Sequence, residues 1–130
     1  MKSMRMMFAI AGVLAVASPA ISQPAAPQTT HCFFASQFEN WRAPDNKTIY
    51  IRVGMHRYYR LDMAGSCPSL TQPGAFLVTK LWGGNTYCTA LDWDLHVSTS
   101  WHDIPTACIV KKMTELTPDE AAALPKSAKP

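Results

Sequence analysis

No two cysteines in this chain have the C-x-x-C spacing, which speaks against a thioredoxin-like redox site. The four cysteines, Cys32, Cys67, Cys88 and Cys108, are also spaced too widely for zinc, whose protein ligands usually come in close pairs. There is no G-x-S-x-G, no H-E-x-x-H and no glycine-rich phosphate loop, so the common signatures of hydrolases and nucleotide-binding enzymes are missing. No internal repeat and no second domain can be made out. An excess of charge is missing as well. Twelve basic residues face nine acidic ones, and Lys2 and Arg5 belong to a segment expected to be removed. The remainder is close to neutral. That gives little case for bulk attraction to nucleic acid or to a membrane surface.

The removable segment is residues 1–22. Lys2 and Arg5 make a positive start, residues 6–17 are apolar and uncharged, and Pro19 breaks the run. Ala20-Ile21-Ser22 offers small residues where a signal peptidase reads, which puts cleavage before Gln23. About a dozen apolar residues are too few to span a bilayer comfortably, and no cysteine follows closely enough for a lipoprotein site. Residues 23–30 (QPAAPQTT) hold nothing to pack and read as a flexible lead-in. Residues 31–125 then form one modest domain, and residues 126–130 a loose tail.

The centre of that domain is residues 48–63. Ile49, Ile51 and Val53 alternate with Tyr50 and Arg52; Tyr59, Leu61 and Met63 alternate with Tyr58, Arg60 and Asp62. Period-two alternation rich in β-branched and aromatic residues predicts two half-buried strands, and Gly54 marks the turn between them. Upstream, Phe34, Phe38 and Trp41 fit one face of a short helix, with a strand and an irregular turn as the competing reading. Downstream we expect a strand over 75–81, a long strand over 86–97 and a strand over 107–113. In the long strand Leu91, Trp93, Leu95 and Val97 point inward, and Asp92, Asp94 and His96 point outward. Cys88 falls on the aspartates' side, which calls for a bulge near Ala90 or a disulfide at the sheet rim. Thr117-Pro118-Asp119-Glu120 is a capping box with proline at the first helical position, so a short helix is expected over 118–124. It would need Ala121, Ala122 or Leu124 to dock. The expected architecture is mainly β: a small antiparallel barrel or sandwich of about five strands, with two disulfides and a short C-terminal helix.

Four cysteines behind a signal segment imply an oxidising compartment and two disulfides. Three connectivities exist. We favour Cys67–Cys88 with Cys32–Cys108, which would fasten the hairpin to the long strand and the two ends of the domain to each other. The sequential pairing, Cys32–Cys67 with Cys88–Cys108, remains open.

An ordered set of short motifs runs along residues 31–125: Cys32-Phe33, Asp45 with Thr48-Ile49-Tyr50, Tyr59-Arg60-Leu61 and Gly65-Ser66-Cys67. Cys88, Leu91-Asp92, Asp94-Leu95, Cys108-Ile109-Val110 and Leu116-Thr117-Pro118-Asp119-Glu120 complete it. In this the chain resembles a family of small exported bacterial proteins catalogued as a domain of unknown function. The resemblance implies a secreted, cysteine-bridged, single-domain protein, and no activity or ligand.

Two sets of residues are candidates for chemistry. Tyr50, Arg52, Tyr58 and Arg60, with Trp41 and Arg42 beside them, interleave aromatic and cationic side chains on the outer face of the hairpin. Such a surface can stack on rings and grip anionic groups; the alternative is cross-strand packing that caps the sheet. Asp92, Asp94 and His96 form a row that could hold a divalent cation, with His102 and Asp103 as further ligands, against the alternative of an ordinary solvated face. With every cysteine bridged, none is free as a nucleophile. The expected protein is therefore a periplasmic or secreted, non-catalytic, monomeric binding or envelope-accessory domain without a cofactor. Its partner would be an envelope protein or an anionic polymer, not nucleic acid, and the cleaved chain would not insert in a membrane. A divalent-cation-binding protein using Asp92, Asp94 and His96 is the alternative function.

Overall fold

The computed structural model describes residues 32–81 and 83–130. The signal segment 1–22 and the lead-in 23–30 lie outside the described residues. The strands run in chain order as β1 (Phe33–Phe34), β2 (Phe38–Arg42), β3 (Thr48–Val53), β4 (Arg57–Met63) and β5 (Phe76–Lys80). They continue as β6 (Thr86–Tyr87), β7 (Asp94–Ser98), β8 (Thr106–Ala107) and β9 (Val110–Glu115), followed by helix α1 (Pro118–Ala122). Single 3-10 turns occupy Ala35–Gln37, Pro68–Thr71 and Ala90–Asp92.

The alternation in residues 48–63 produces the expected hairpin. β3 and β4 pair antiparallel from Thr48 opposite Asp62 to Val53 opposite Arg57. Gly54 turns the chain at φ +57°, in the left-handed region that glycine enters without a Cβ clash. Its N–H donates to the Gln37 carbonyl at 2.7 Å. The three-residue loop keeps the apolar rows of both strands on one face; one residue more or less would send them to opposite faces. Ile49, Ile51, Val53, Tyr59, Leu61 and Met63 are all buried. Each such side chain gains roughly 1.5–3 kcal/mol on leaving water.

Three antiparallel sheets surround that row: β2-β3-β4-β9, β5-β7-β8 and the short pair β1-β6. Their inner faces meet in one cluster. Leu95 and Val97 come from β7, Val110 from β9, Phe33 from β1 and Tyr87 from β6, with Leu70 and Trp93 between them. The arrangement is a sandwich-like packing of sheets, not a closed barrel. Mainly β architecture, two disulfides and a short C-terminal helix are as expected, but the strands are shorter and more numerous. Among the described residues no helix is long and apolar enough to cross a membrane.

Several segments differ from expectation. The helical reading of Phe34, Phe38 and Trp41 gives way to β1, a 3-10 turn and β2. The Gln37 side chain accepts from the Phe34 N–H at 2.9 Å and holds that turn. The long strand over 86–97 is broken at Ala90–Asp92. Thr89 caps the break by accepting from the Leu91 N–H at 3.3 Å, and local side-chain bonds of this kind compete with a strand ladder. Leu91 is consequently 94% exposed instead of buried, while Trp93, Leu95 and Val97 do face the core. The strand expected over 107–113 is divided into β8 and β9, which join different sheets.

Thr117 and Glu120 form the capping box: the Glu120 carboxylate accepts from the Thr117 N–H at 2.8 Å, and the Thr117 hydroxyl accepts from the Glu120 N–H at 3.3 Å. Ala121 docks the helix. The helix stops at Ala122, two residues short of expectation. Residues 126–130, read as a loose tail, form a turn in which Ala128 is buried and its N–H donates to the Pro125 carbonyl at 2.9 Å.

The cysteines adopt the third connectivity, Cys32–Cys88 and Cys67–Cys108. Neither Cys67–Cys88 with Cys32–Cys108 nor the sequential pairing forms. The reason lies in strand pairing. Phe33 stands opposite Tyr87 in the β1-β6 ladder, which places the adjoining Cys32 and Cys88 with Cα atoms 4.2 Å apart. Met63 stands opposite Val110 and the Ala64 N–H donates to the Ile109 carbonyl at 2.8 Å, which leads Cys67 to Cys108. Non-reducing peptide mapping should therefore recover only these two linkages; a peptide joining Cys32 to Cys108 would contradict the fold. Replacing both Cys67 and Cys108 by alanine should lower the unfolding free energy in urea by about 2–5 kcal/mol.

Candidate functional site

The period that buries the odd-numbered side chains of the hairpin turns the even-numbered ones outward. Strand pairing then sets their neighbours. Arg42 on β2 stands opposite Tyr50 on β3, Tyr50 stands opposite Arg60 on β4, and Arg60 stands opposite Thr114 on β9. In the next row Asn40, Arg52 and Tyr58 are aligned in the same way. On the other side, Thr48, Asp62 and Lys112 make a third row. Tyr50, Arg52, Tyr58 and Arg60 are thus brought together as expected, in a checkerboard of rings and cations. Arg42 joins them. Trp41 does not: it pairs with Ile51 and packs against the core.

The face remains open, with Arg42 and Arg60 exposed and Tyr50, Arg52 and Tyr58 half-buried. Arg60 Nε donates to Asp62 Oδ1 at 2.8 Å. That bond raises the Arg60 pKa further above its ordinary value. Arg52 is different. Its Nε is buried with no hydrogen-bond partner, and a buried donor without an acceptor costs roughly 1–3 kcal/mol.

The acidic row is not assembled as a site. Asp92 lies in the 3-10 turn, where Oδ2 accepts from the Cys88 N–H at 2.8 Å, the Thr89 N–H at 2.6 Å and the Thr89 hydroxyl at 3.2 Å. Those backbone donors hold its carboxyl below the usual carboxylate range. Asp94 and His96 remain neighbours, with Oδ1 and Nδ1 3.4 Å apart. Asp103 accepts from the Thr99 hydroxyl at 3.3 Å within its own loop. Among the described residues, no three His, Cys, Asp or Glu side chains are grouped so as to hold a metal ion.

Two features were not visible in the sequence. Arg57 reaches across from the start of β4 to Glu115 at the end of β9, Nε to Oε1 at 2.8 Å, and also donates to the Tyr59 hydroxyl. Its Nη1 meets the Cys32 carbonyl at 3.4 Å. Burial, with the Glu115 charge beside it, pushes the Tyr59 phenol up to about 12. The second feature is a cleft of about 170 Å³ lined by Ala35, Phe38, Leu77, Thr79, Leu81, Tyr87 and Trp93. Its residues come from separate strands and turns, so no local pattern signals it. The Tyr87 and Trp93 rings stack at 4.1 Å, and the Tyr87 hydroxyl donates to Thr79 Oγ1 at 3.1 Å.

Fold and surface together define a small, two-disulfide antiparallel β protein that presents a Tyr/Arg sheet face. The chain belongs to a family of unknown function, DUF6491, which it matches over residues 1–130. Neither the curated proteins nor the solved structures contain a match to it.

The carboxyl and phenol shifts have opposite consequences for stability. The Tyr59 pKa is raised above the ordinary value near 10, so its contribution is complete below about pH 10 and is lost as pH rises through about 12. Chemical unfolding at alkaline pH should show a steeper loss of stability in the native protein than in Tyr59→Phe; parallel losses would contradict this assignment. Asp92 has a lowered pKa, so its contribution is complete above the ordinary carboxylate value near 3.9 and is lost as pH falls through the lowered one. Asp92→Ala should cost about 0.5–2 kcal/mol at neutral pH, and the cost should shrink in acid.

Proposed function

We propose that this protein is an exported, non-catalytic binding module of the cell envelope, periplasmic or secreted, which holds an anionic partner on the outer face of its four-stranded sheet. The observation that carries this reading is the checkerboard of Arg42, Tyr50, Arg52, Tyr58 and Arg60, fixed by strand register, with Arg42 and Arg60 exposed and the other three half-buried. Cations and amphipathic rings at fixed backbone spacing provide both charge and stacking surface. Export is supported by Lys2 and Arg5 ahead of the apolar residues 6–17 and by small residues before Gln23. Two disulfides fit an oxidising compartment. Bridging of all four cysteines leaves no thiol nucleophile, which favours binding over covalent catalysis.

The test is capture of anionic polymer from an envelope extract by purified, oxidised protein, with the Arg52→Ala/Arg60→Ala double mutant in parallel. The native protein should retain a defined anionic polymer that the double mutant loses, and added salt should weaken retention. Equal retention by both proteins, or none by either, would remove this face from consideration.

A further inference from the structure

The order of groups on the Tyr/Arg face narrows the class of its partner. Resting on the anionic-binding reading above, we infer that the ligand is an acidic polysaccharide in which charged and neutral sugars alternate. Arg42, Tyr50 and Arg60 stand in one row across β2, β3 and β4. Neighbouring strands lie about 4.7–4.9 Å apart, so two cationic positions are separated by about 9.5 Å with a ring between them. Arg52 follows two residues along β3, about 6.5–7 Å away, with Tyr58 beside it in place of a second cation. One row therefore reads cation, ring, cation across the strands, the neighbouring row of Asn40, Arg52 and Tyr58 carries one cation and one ring, and β3 and β4 each read ring, cation along the strand.

That order suits a chain whose charges are separated by an uncharged pyranose. Each guanidinium meets a carboxylate or sulfate, for which its planar fork of donors is suited, and the intervening tyrosine stacks on the apolar face of the neutral sugar. A polyphosphate offers charge at every unit and nothing to stack, so it would leave Tyr50 and Tyr58 unused.

The charge distribution agrees. Without residues 1–22, which hold Lys2 and Arg5, the chain is close to neutral, yet Arg42, Arg52, Arg60 and Lys112 share this one face. Asp62, in the same paired rows, is bonded to Arg60 Nε, and the Asp45 charge also acts on Arg60. Arg52 sits half-buried between Asn40 and Tyr58.

The test is calorimetric titration with four probes: hyaluronan oligosaccharides, which alternate charged and neutral sugars; polygalacturonate oligomers, charged at every sugar; polyphosphate; and neutral dextran. Hyaluronan should bind saturably and more tightly than the other three. Arg42→Ala/Arg60→Ala and Tyr50→Ala should each weaken it about tenfold or more, Tyr50→Phe should retain it, and intact disulfides with native circular dichroism should confirm that the variants fold. Polyphosphate binding as tight as hyaluronan and indifferent to Tyr50→Ala would overturn the polysaccharide inference and leave an anion-binding face. Failure of all four probes with a protein that still captures envelope polymer through Arg52 and Arg60 would also overturn it. Capture that survives Arg52→Ala/Arg60→Ala would overturn the underlying reading instead.

Discussion

Pairing of β3 with β4 is the contact on which the other elements depend. Ile49, Ile51 and Val53 lie beside Tyr59, Leu61 and Met63, so the two strands present one continuous apolar surface to the interior. Neither strand that flanks them offers as much. β2 has no fully buried side chain, and β9 buries only Val110. These strands gain their place through backbone bonds to edges that the hairpin supplies. The inner faces of the remaining sheets, and the small apolar face of α1, then have a surface to cover.

The two disulfides act where this packing is thinnest. β1 and β6 contribute two residues each, too few for a ladder to persist alone in water. Cys32–Cys88 closes that ladder across a sequence separation of 56, and Cys67–Cys108 ties the end of β4 to the start of β9 across 41. Both bridges restrict the unfolded chain far more than the folded one. Arg57 extends the same link by polar means, meeting Glu115, Tyr59 and the Cys32 carbonyl from a single side chain.

The outer face follows from the same alternation that makes the core. Of the side chains directed outward, Tyr50, Arg52 and Tyr58 are half-buried by their cross-strand neighbours, and Arg42 and Arg60 are exposed. Here the Arg60–Asp62 pair remains partly hydrated, and such an exposed ion pair contributes little to stability. That ion pair is therefore not what holds the sheet together. The spacing of the cations is a property of the sheet itself, because strand separation and the two-residue repeat leave each side chain only one lattice position.

Residues 48–63 and 117–120 were legible in the sequence because their determinants are local. A two-residue period, one glycine at the turn and one capping box need no information from elsewhere in the chain, and the checkerboard of Tyr50, Arg52, Tyr58 and Arg60 comes with the hairpin. The sequence also implied two disulfides from cysteine number. Residues 86–97 misled because alternation alone suggested one strand, whereas Thr89 and Asp92 satisfy nearby backbone groups and bend the chain into a turn. That bend exposes Leu91 and takes Asp92 away from Asp94 and His96. Which cysteines join, where Arg57 finds Glu115 and which residues line the cleft depended on β1 meeting β6 and β4 meeting β9. Those meetings occur between segments about 50 residues apart in the chain. Local propensity carries no record of them; they are chosen when the apolar faces of separate strands are buried against one another.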